Sequence, residues 1–249
     1  MTQRRILRLT GPDTLDFLQG IVTNDVSKLT SGLVYAALLT PQGKYMADFF
    51  LAADGDDVLL DVDDSLGDML GQRLAMYKLR AKVAIAPTDL HMHRGTSDIP
   101  QDAHPDPRHP AMGWRAYRTA PQTDDTTDWD ALRVAHLIPE TGIELTPDTF
   151  ILEAGFDRLN GVDFRKGCYV GQEVTARMKH KTELRKGLAQ VALSGSAPIG
   201  TAITADGKPA GTLFTQSHDR AIAYLRFDRA AGAMQAEDAT VEWTPKQPG

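Results

Sequence analysis

The chain has 249 residues, 42% of them hydrophobic and 24% charged, with a formal net charge of −6. That length buries more than one modest core, the composition is the one expected of a soluble globular protein, and the acidic balance argues against a broad nucleic-acid surface. The single cysteine, Cys168, excludes an internal disulfide and any metal site made of several thiolates of this chain. No long apolar run follows Arg4 and Arg5, so neither a secretory leader nor a membrane span is read, and the expected location is cytoplasmic.

Ile6 to Leu9 reads as a strand. Gly11-Pro12-Asp13 breaks it, with Asp13 placed to cap a short helix that carries Leu15, Leu18 and Val22 and ends near Asn24. Leu33 to Leu39 and Tyr45 to Ala52 read as strands joined by the turn Thr40-Pro41-Gln42-Gly43-Lys44, with Lys44 solvated. Asp54, Asp56, Asp57, Asp61, Asp63 and Asp64 lack the spacing of a calcium loop and are read as turn residues around a strand, Val58 to Val62. Leu66, Met69, Leu70, Leu74 and Tyr77 mark an amphipathic helix, and Lys82 to Ala86 a further strand. Prolines between Asp98 and Pro110 mark a loop. His91, His93, His104 and His109 lack accompanying carboxylate or cysteine ligands at metal-site spacing.

Trp129 to Ile138 and Phe150 to Leu159 read as helices, the second carrying Glu153. Leu188 to Leu193, Ala202 to Ala205, Gly211 to Thr215, Ala221 to Phe227 and Ala239 to Trp243 read as short strands of a small β-barrel, with a hairpin turn at Asp206-Gly207-Lys208.

Lys166-Gly167-Cys168-Tyr169-Val170-Gly171-Gln172-Glu173 concentrates the chemistry. A thiol is a nucleophile or metal ligand only as thiolate, which nearby cations such as Arg165 and Lys166 favour. The flanking glycines permit tight turns and close approach. On chemistry alone an inert, buried, small hydrophobe is an equal reading of Cys168. The 177–186 stretch then holds five Lys or Arg and His180 against Glu183 alone, either a solvated face or an electropositive rim for an anion.

The run from Gly161 to Glu173 resembles the signature of the YgfZ family, folate-binding proteins that take part in iron-sulfur cluster assembly. Phe17-Leu18-Gln19, Thr23-Asn24-Asp25-Val26, the Leu39 to Lys44 tip, Asp106-Pro107-Arg108 and Gly113-Trp114-Arg115 resemble the same family. The resemblance implies an α+β, T-protein-like multidomain fold around a central folate cavity, akin to the aminomethyltransferase of the glycine cleavage system. A split folate-binding domain would occupy 1–45 and 129–182, a ferredoxin-like α+β insertion 46–128, and a C-terminal β-barrel 183–249.

The resemblance further implies that Cys168 is the essential thiol, with Lys166 tuning its charge. As a metal ligand, Cys168 would serve only in an iron-sulfur cluster shared with a partner, such as an A-type carrier. Glu153, Gln172, Glu173 and Arg177 are the expected tetrahydrofolate contacts, and the clients include iron-sulfur enzymes of tRNA modification. The chain departs from the family where a glycine is usual near Leu137, a proline near Leu152 and an asparagine near Gly155. Two other functions compete with the assembly factor. One is a true folate-dependent aminomethyltransferase, although the T-protein motif has no cysteine at this place and that chain is longer. The other is an RNA-binding protein using 177–186.

Overall fold

The computed structural model describes residues 3–180 and 183–245. Lys181 of the basic stretch and residues 246–249 lie outside them. The chain divides into two compact units, one of residues 1–127 with 156–176, the other of residues 128–155 with 177–249.

The first unit is built on a five-stranded antiparallel sheet. Its strands are β1 (Arg4–Thr10), β2 (Val34–Leu39), β3 (Tyr45–Asp54), β4 (Asp57–Asp63) and β5 (Ala84–Pro87), in the order β2-β3-β4-β1-β5. The 45/46 boundary of the expected division thus falls inside the β2–β3 hairpin. Strand alternation puts Ala47, Phe49 and Leu51 of β3 and Val58, Leu60 and Val62 of β4 on one face, where helices α1 (Thr14–Gln19) and α2 (Asp64–Tyr77) contribute Phe17, Leu18, Leu70 and Leu74 to the core. A three-stranded sheet, β6 (His91–Gly95), β7 (His104–Pro105) and β8 (Trp114–Arg118), runs in the order β6-β8-β7.

Several local expectations are corrected. Helix α1 stops at Gln19, not near Asn24, because Thr23 is drawn into the sheet: its N–H donates to Ala37 O at 3.0 Å and its Oγ1 accepts from Ala37 N at 2.8 Å. Asp13 occupies the cap position, but its carboxylate accepts the Lys82 N–H at 2.7 Å and makes no cap bond to the helix. Asp61 is no turn residue, since it lies within β4 and is fully buried.

The second unit holds α3 (Trp129–His136) and a closed barrel of β9 (Lys186–Ser194), β10 (Ala202–Ala205), β11 (Lys208–Ser217), β12 (Arg220–Arg226), β13 (Ala233–Ala236) and β14 (Ala239–Glu242), in the order β10-β11-β12-β9-β14-β13. Closure pairs every edge. Asp206 and Gly207 turn the β10–β11 hairpin with φ of 47° and 73°, the positive pair that a two-residue turn of this hand requires. The sequence reading lacks β13, whose four residues offer only Met234 and Ala236 to the interior. It also reads a helix over Phe150 to Leu159 where the chain makes successive turns, interrupted at Gly155 with φ of 78°. A fourth helix, α4 (Gln172–His180), follows the cysteine motif.

Candidate functional site

In the first unit, three separate pieces of sequence, residues 23–28, Tyr35 and residues 156–165, are tied together just ahead of Cys168 in the chain. Thr23 Oγ1 donates to Gly161 O at 2.7 Å, and Asp163 N donates to Thr23 O at 3.0 Å. Asn24 Nδ2 donates to Tyr35 O at 2.8 Å and to Asn160 O at 2.7 Å. Gly161 has no room for a side chain, since a Cβ there would lie 2.6 Å from the Phe156 ring and 3.1 Å from that of Tyr35. Lys28 pairs with Asp163 at 2.7 Å, which holds that carboxyl below its usual range; Asp163 in turn accepts the Arg165 N–H at 2.7 Å.

Lys166 is buried. Its Nζ donates to Gln19 O at 2.7 Å and to Val22 O at 2.5 Å, the carbonyls at and just past the end of α1, and lies 5.2 Å from the centroid of the buried Tyr169 ring. Burial lowers its pKa to about 8, against the opposing pull of Asp25 and Asp163. The amine expected to tune the thiol therefore works as a strut between α1 and the cysteine loop.

On the other side of the loop, Gly171 adopts a φ of 82°, and a Cβ there would meet Thr40 O at 2.6 Å. Gly43, with φ of 75°, would meet the Val174 side chain at 2.7 Å. The Thr40 to Lys44 tip is thus packed against the start of α4, and both glycines exist for that fit. Between these anchors Cys168 is exposed, as is Gly167, around which a Cβ would find open space. The structure removes the reading of Cys168 as a buried hydrophobe.

The expected ligand residues do not converge within either unit. Glu153, in the second unit, is buried; its Oε2 accepts from Tyr224 Oη at 2.7 Å, and its Oε1 lies 3.8 Å from Lys186 Nζ. Burial, together with that bond, pushes the Tyr224 hydroxyl far above its usual range. Gln172 reaches only Gly167 O of its own loop, at 3.5 Å, while Glu173 and Arg177 stand exposed on α4. A cleft of about 900 Å³ along β1, β5, β6 and α2 is lined by none of these residues. Among the described residues, no group of three or more His, Cys, Asp and Glu side chains is placed to hold a metal ion.

One cluster escaped the sequence reading. On the face of the sheet opposite α1 and α2, Asp61 accepts from Arg4 Nε at 2.6 Å, Arg115 Nη1 at 3.0 Å and Tyr117 Oη at 3.3 Å. Asp106 accepts from Arg108 and Arg115, and Asp48 from Tyr35 and Tyr45. The Arg115 guanidinium lies 3.8 Å from the centroid of the Phe50 ring. The signal was present in the family-like Asp106-Pro107-Arg108 and Trp114-Arg115 pieces and in aspartates that interrupt apolar strands. Asn160 Nδ2 ties this cluster's Pro107 O, at 2.8 Å, to the segment that leads into Cys168.

Comparison with known proteins decides the family. The chain is 30% identical to the mitochondrial iron-sulfur cluster assembly factor IBA57 of Mus musculus over 93% of its own length and 78% of that protein. The chain belongs to the IBA57 family of iron-sulfur cluster assembly factors. The Homo sapiens protein matches equally, at 30% identity over 93% of this chain and 78% of the relative. A homologue from Mycosarcoma maydis is 32% identical over 78% of this chain and 57% of that protein.

Residues 185–248 match the model of the CAF17 C-terminal beta-barrel domain, which agrees with the closed barrel. The fold is that of the glycine cleavage system aminomethyltransferase T from Bartonella henselae, with a TM-score of 0.76, 13% identity, and coverage of 97% of this chain and 83% of that one. The expected T-protein-like architecture and the kinship with YgfZ proteins are thereby shown. The cytoplasmic expectation is overturned, because these relatives are named as mitochondrial proteins.

Proposed function

We propose that this iron-sulfur cluster assembly factor works through Cys168 as half of a site, supplying one thiolate to a cluster whose other ligands come from a carrier such as an A-type protein or from a client enzyme. The observation that carries the reading is the exposure of the only cysteine between buried anchors, Lys166 and Tyr169. One thiolate cannot hold a cluster alone, but a braced, outward-facing one can complete a partner's coordination. The cluster is cargo, and the clients proposed include enzymes of tRNA modification.

The experiment is complementation. Cys168→Ala is expected to keep the wild-type circular dichroism and thermal midpoint while abolishing support of a radical iron-sulfur enzyme in cells. Full activity of that enzyme with the variant overturns the thiol reading.

Tetrahydrofolate binding is proposed on the likeness of fold alone. Glu153, Gln172, Glu173 and Arg177 do not form a folate cradle within either unit, so no step is routed through folate. Fluorescence titration with tetrahydrofolate tests this part separately, and absence of saturable binding removes it without touching the role of Cys168. An aminomethyltransferase would instead show tetrahydrofolate-dependent turnover of an aminomethyl-lipoyl carrier. The RNA reading requires affinity that falls steeply with salt.

A further inference from the structure

Beyond the cysteine loop, the end of α2 breaks two rules at once. Leu79 follows the helix in the left-handed region, φ 45°, the position after a helix end that glycine usually fills. It is also 86% exposed, and Met76 on the last turn of α2 is 62% exposed. A bulky side chain at positive φ is strained, and exposing it to water forgoes its burial. Glycine would relieve the first fault and remove the second, so the leucine has no account in the stability of the fold.

Its surroundings carry the second observation. From Met69 to Thr88 the chain holds Arg73, Lys78, Arg80 and Lys82 and no Asp or Glu, in a protein of net charge −6. Arg73, Arg80 and Lys82 are exposed, and among the described residues no carboxylate pairs with them. Lys78 donates its Nζ to Val83 O at 2.7 Å within the segment, and Asp13, from the start of α1, accepts the Lys82 backbone N–H, so both brace it. Two exposed apolar side chains, with three exposed cations close to them in sequence on a braced turn, have the composition of an interaction anchor with its rim.

We infer that the end of α2 and the 78–82 turn form a docking knob for a partner protein whose surface offers an apolar pocket, filled by Leu79 and Met76, inside an acidic rim that meets Arg73, Arg80 and Lys82. Charge complementarity selects the partner and speeds encounter, while Leu79 holds it.

The test replaces Leu79 with the photocrosslinker p-benzoylphenylalanine in the full chain, irradiates cells, identifies the captured protein and titrates it, purified, against unlabelled chain. The expected result is a binding partner whose affinity falls at least about tenfold with Leu79→Gly and with Arg80→Glu, and falls as salt is raised. Leu79→Gly is expected to raise the thermal midpoint, which separates lost docking from lost folding. Three outcomes overturn the inference: no protein is captured at position 79, the captured protein binds both variants as tightly as wild type, or the chain binds phosphatidylcholine–phosphatidylglycerol vesicles through Leu79 in place of a protein.

Discussion

At the scale of single residues, the two glycines beside Cys168 have different jobs. Gly171 is held at φ 82° with Thr40 O at 2.6 Å from where a Cβ would sit, whereas Gly167 faces open space. Gly171→Ala therefore adds left-handed strain and a backbone clash together, and should cost about 2–4 kcal/mol, read as a lower denaturation midpoint. Gly167→Ala should stay within about 0.5 kcal/mol of wild type. The departures from the family follow the same physics. Leu137, near which the resemblance leads one to expect a glycine, closes α3 with φ 53°, and Gly155, near an expected asparagine, has φ 78°. Both places call for a residue that tolerates the left-handed region, and this chain satisfies one of them with a strained leucine.

At the scale of elements, legibility followed periodicity. Strands β2 to β4 are short, nearly continuous apolar runs, strand β9 of the barrel alternates and helix α2 recurs at helical spacing, so Leu66, Leu70 and Leu74, or Val58, Leu60 and Val62, announce their elements. The 150–159 segment has apolar residues at helical spacing, yet Gly155 diverts the backbone. Partnership across long sequence distance could not be read at all. Nothing local says that Lys166 reaches the end of α1, or that Asp61 pairs with Arg4 and Arg115. Cys168 stood out because it is the chain's one cysteine; its exposure could not be read.

The Asp61 cluster fixes β1, β4 and β8 together. Asp61→Ala leaves the Arg4 and Arg115 guanidiniums without that buried carboxylate, at a cost of about 3–5 kcal/mol. Because the two residues are in contact, Asp61→Ala combined with Arg115→Met should cost less than the sum of the single changes. Denaturation of the four proteins of the cycle checks it, and strict additivity contradicts the network.

At the scale of the whole molecule, the buried ionisable groups shape stability against pH. Asp106 is kept ionised by Arg108 and Arg115, which outweigh the upward push of its burial, and Asp25 and Asp163 are also lowered, by hydrogen bonds from Ser27 and from Lys28. Carboxyls lowered in the folded state give stability that is full above their unfolded value of about 3.9 and is lost as pH falls below it.

Lys166 acts in the opposite sense to a paired lysine. Burial lowers its pKa to about 8, so between about 8 and the unfolded value of about 10.4 the unfolded chain binds more protons and stability rises with pH. The neutral amine still has two hydrogens for Gln19 O and Val22 O, so the strut survives deprotonation. Tyr35 and Tyr117, pushed up by burial and then by Asp48 and Asp61, reverse the trend. Above about 10 the unfolded tyrosines ionise first and stability falls. Urea midpoints measured across this range should therefore peak between about 9 and 10. Lys166→Met should flatten the rise above about 8 and leave the acid limb in place, while Cys168→Ala should retain that rise. A rise that persists in Lys166→Met would place its origin elsewhere and remove the buried-strut account of Lys166.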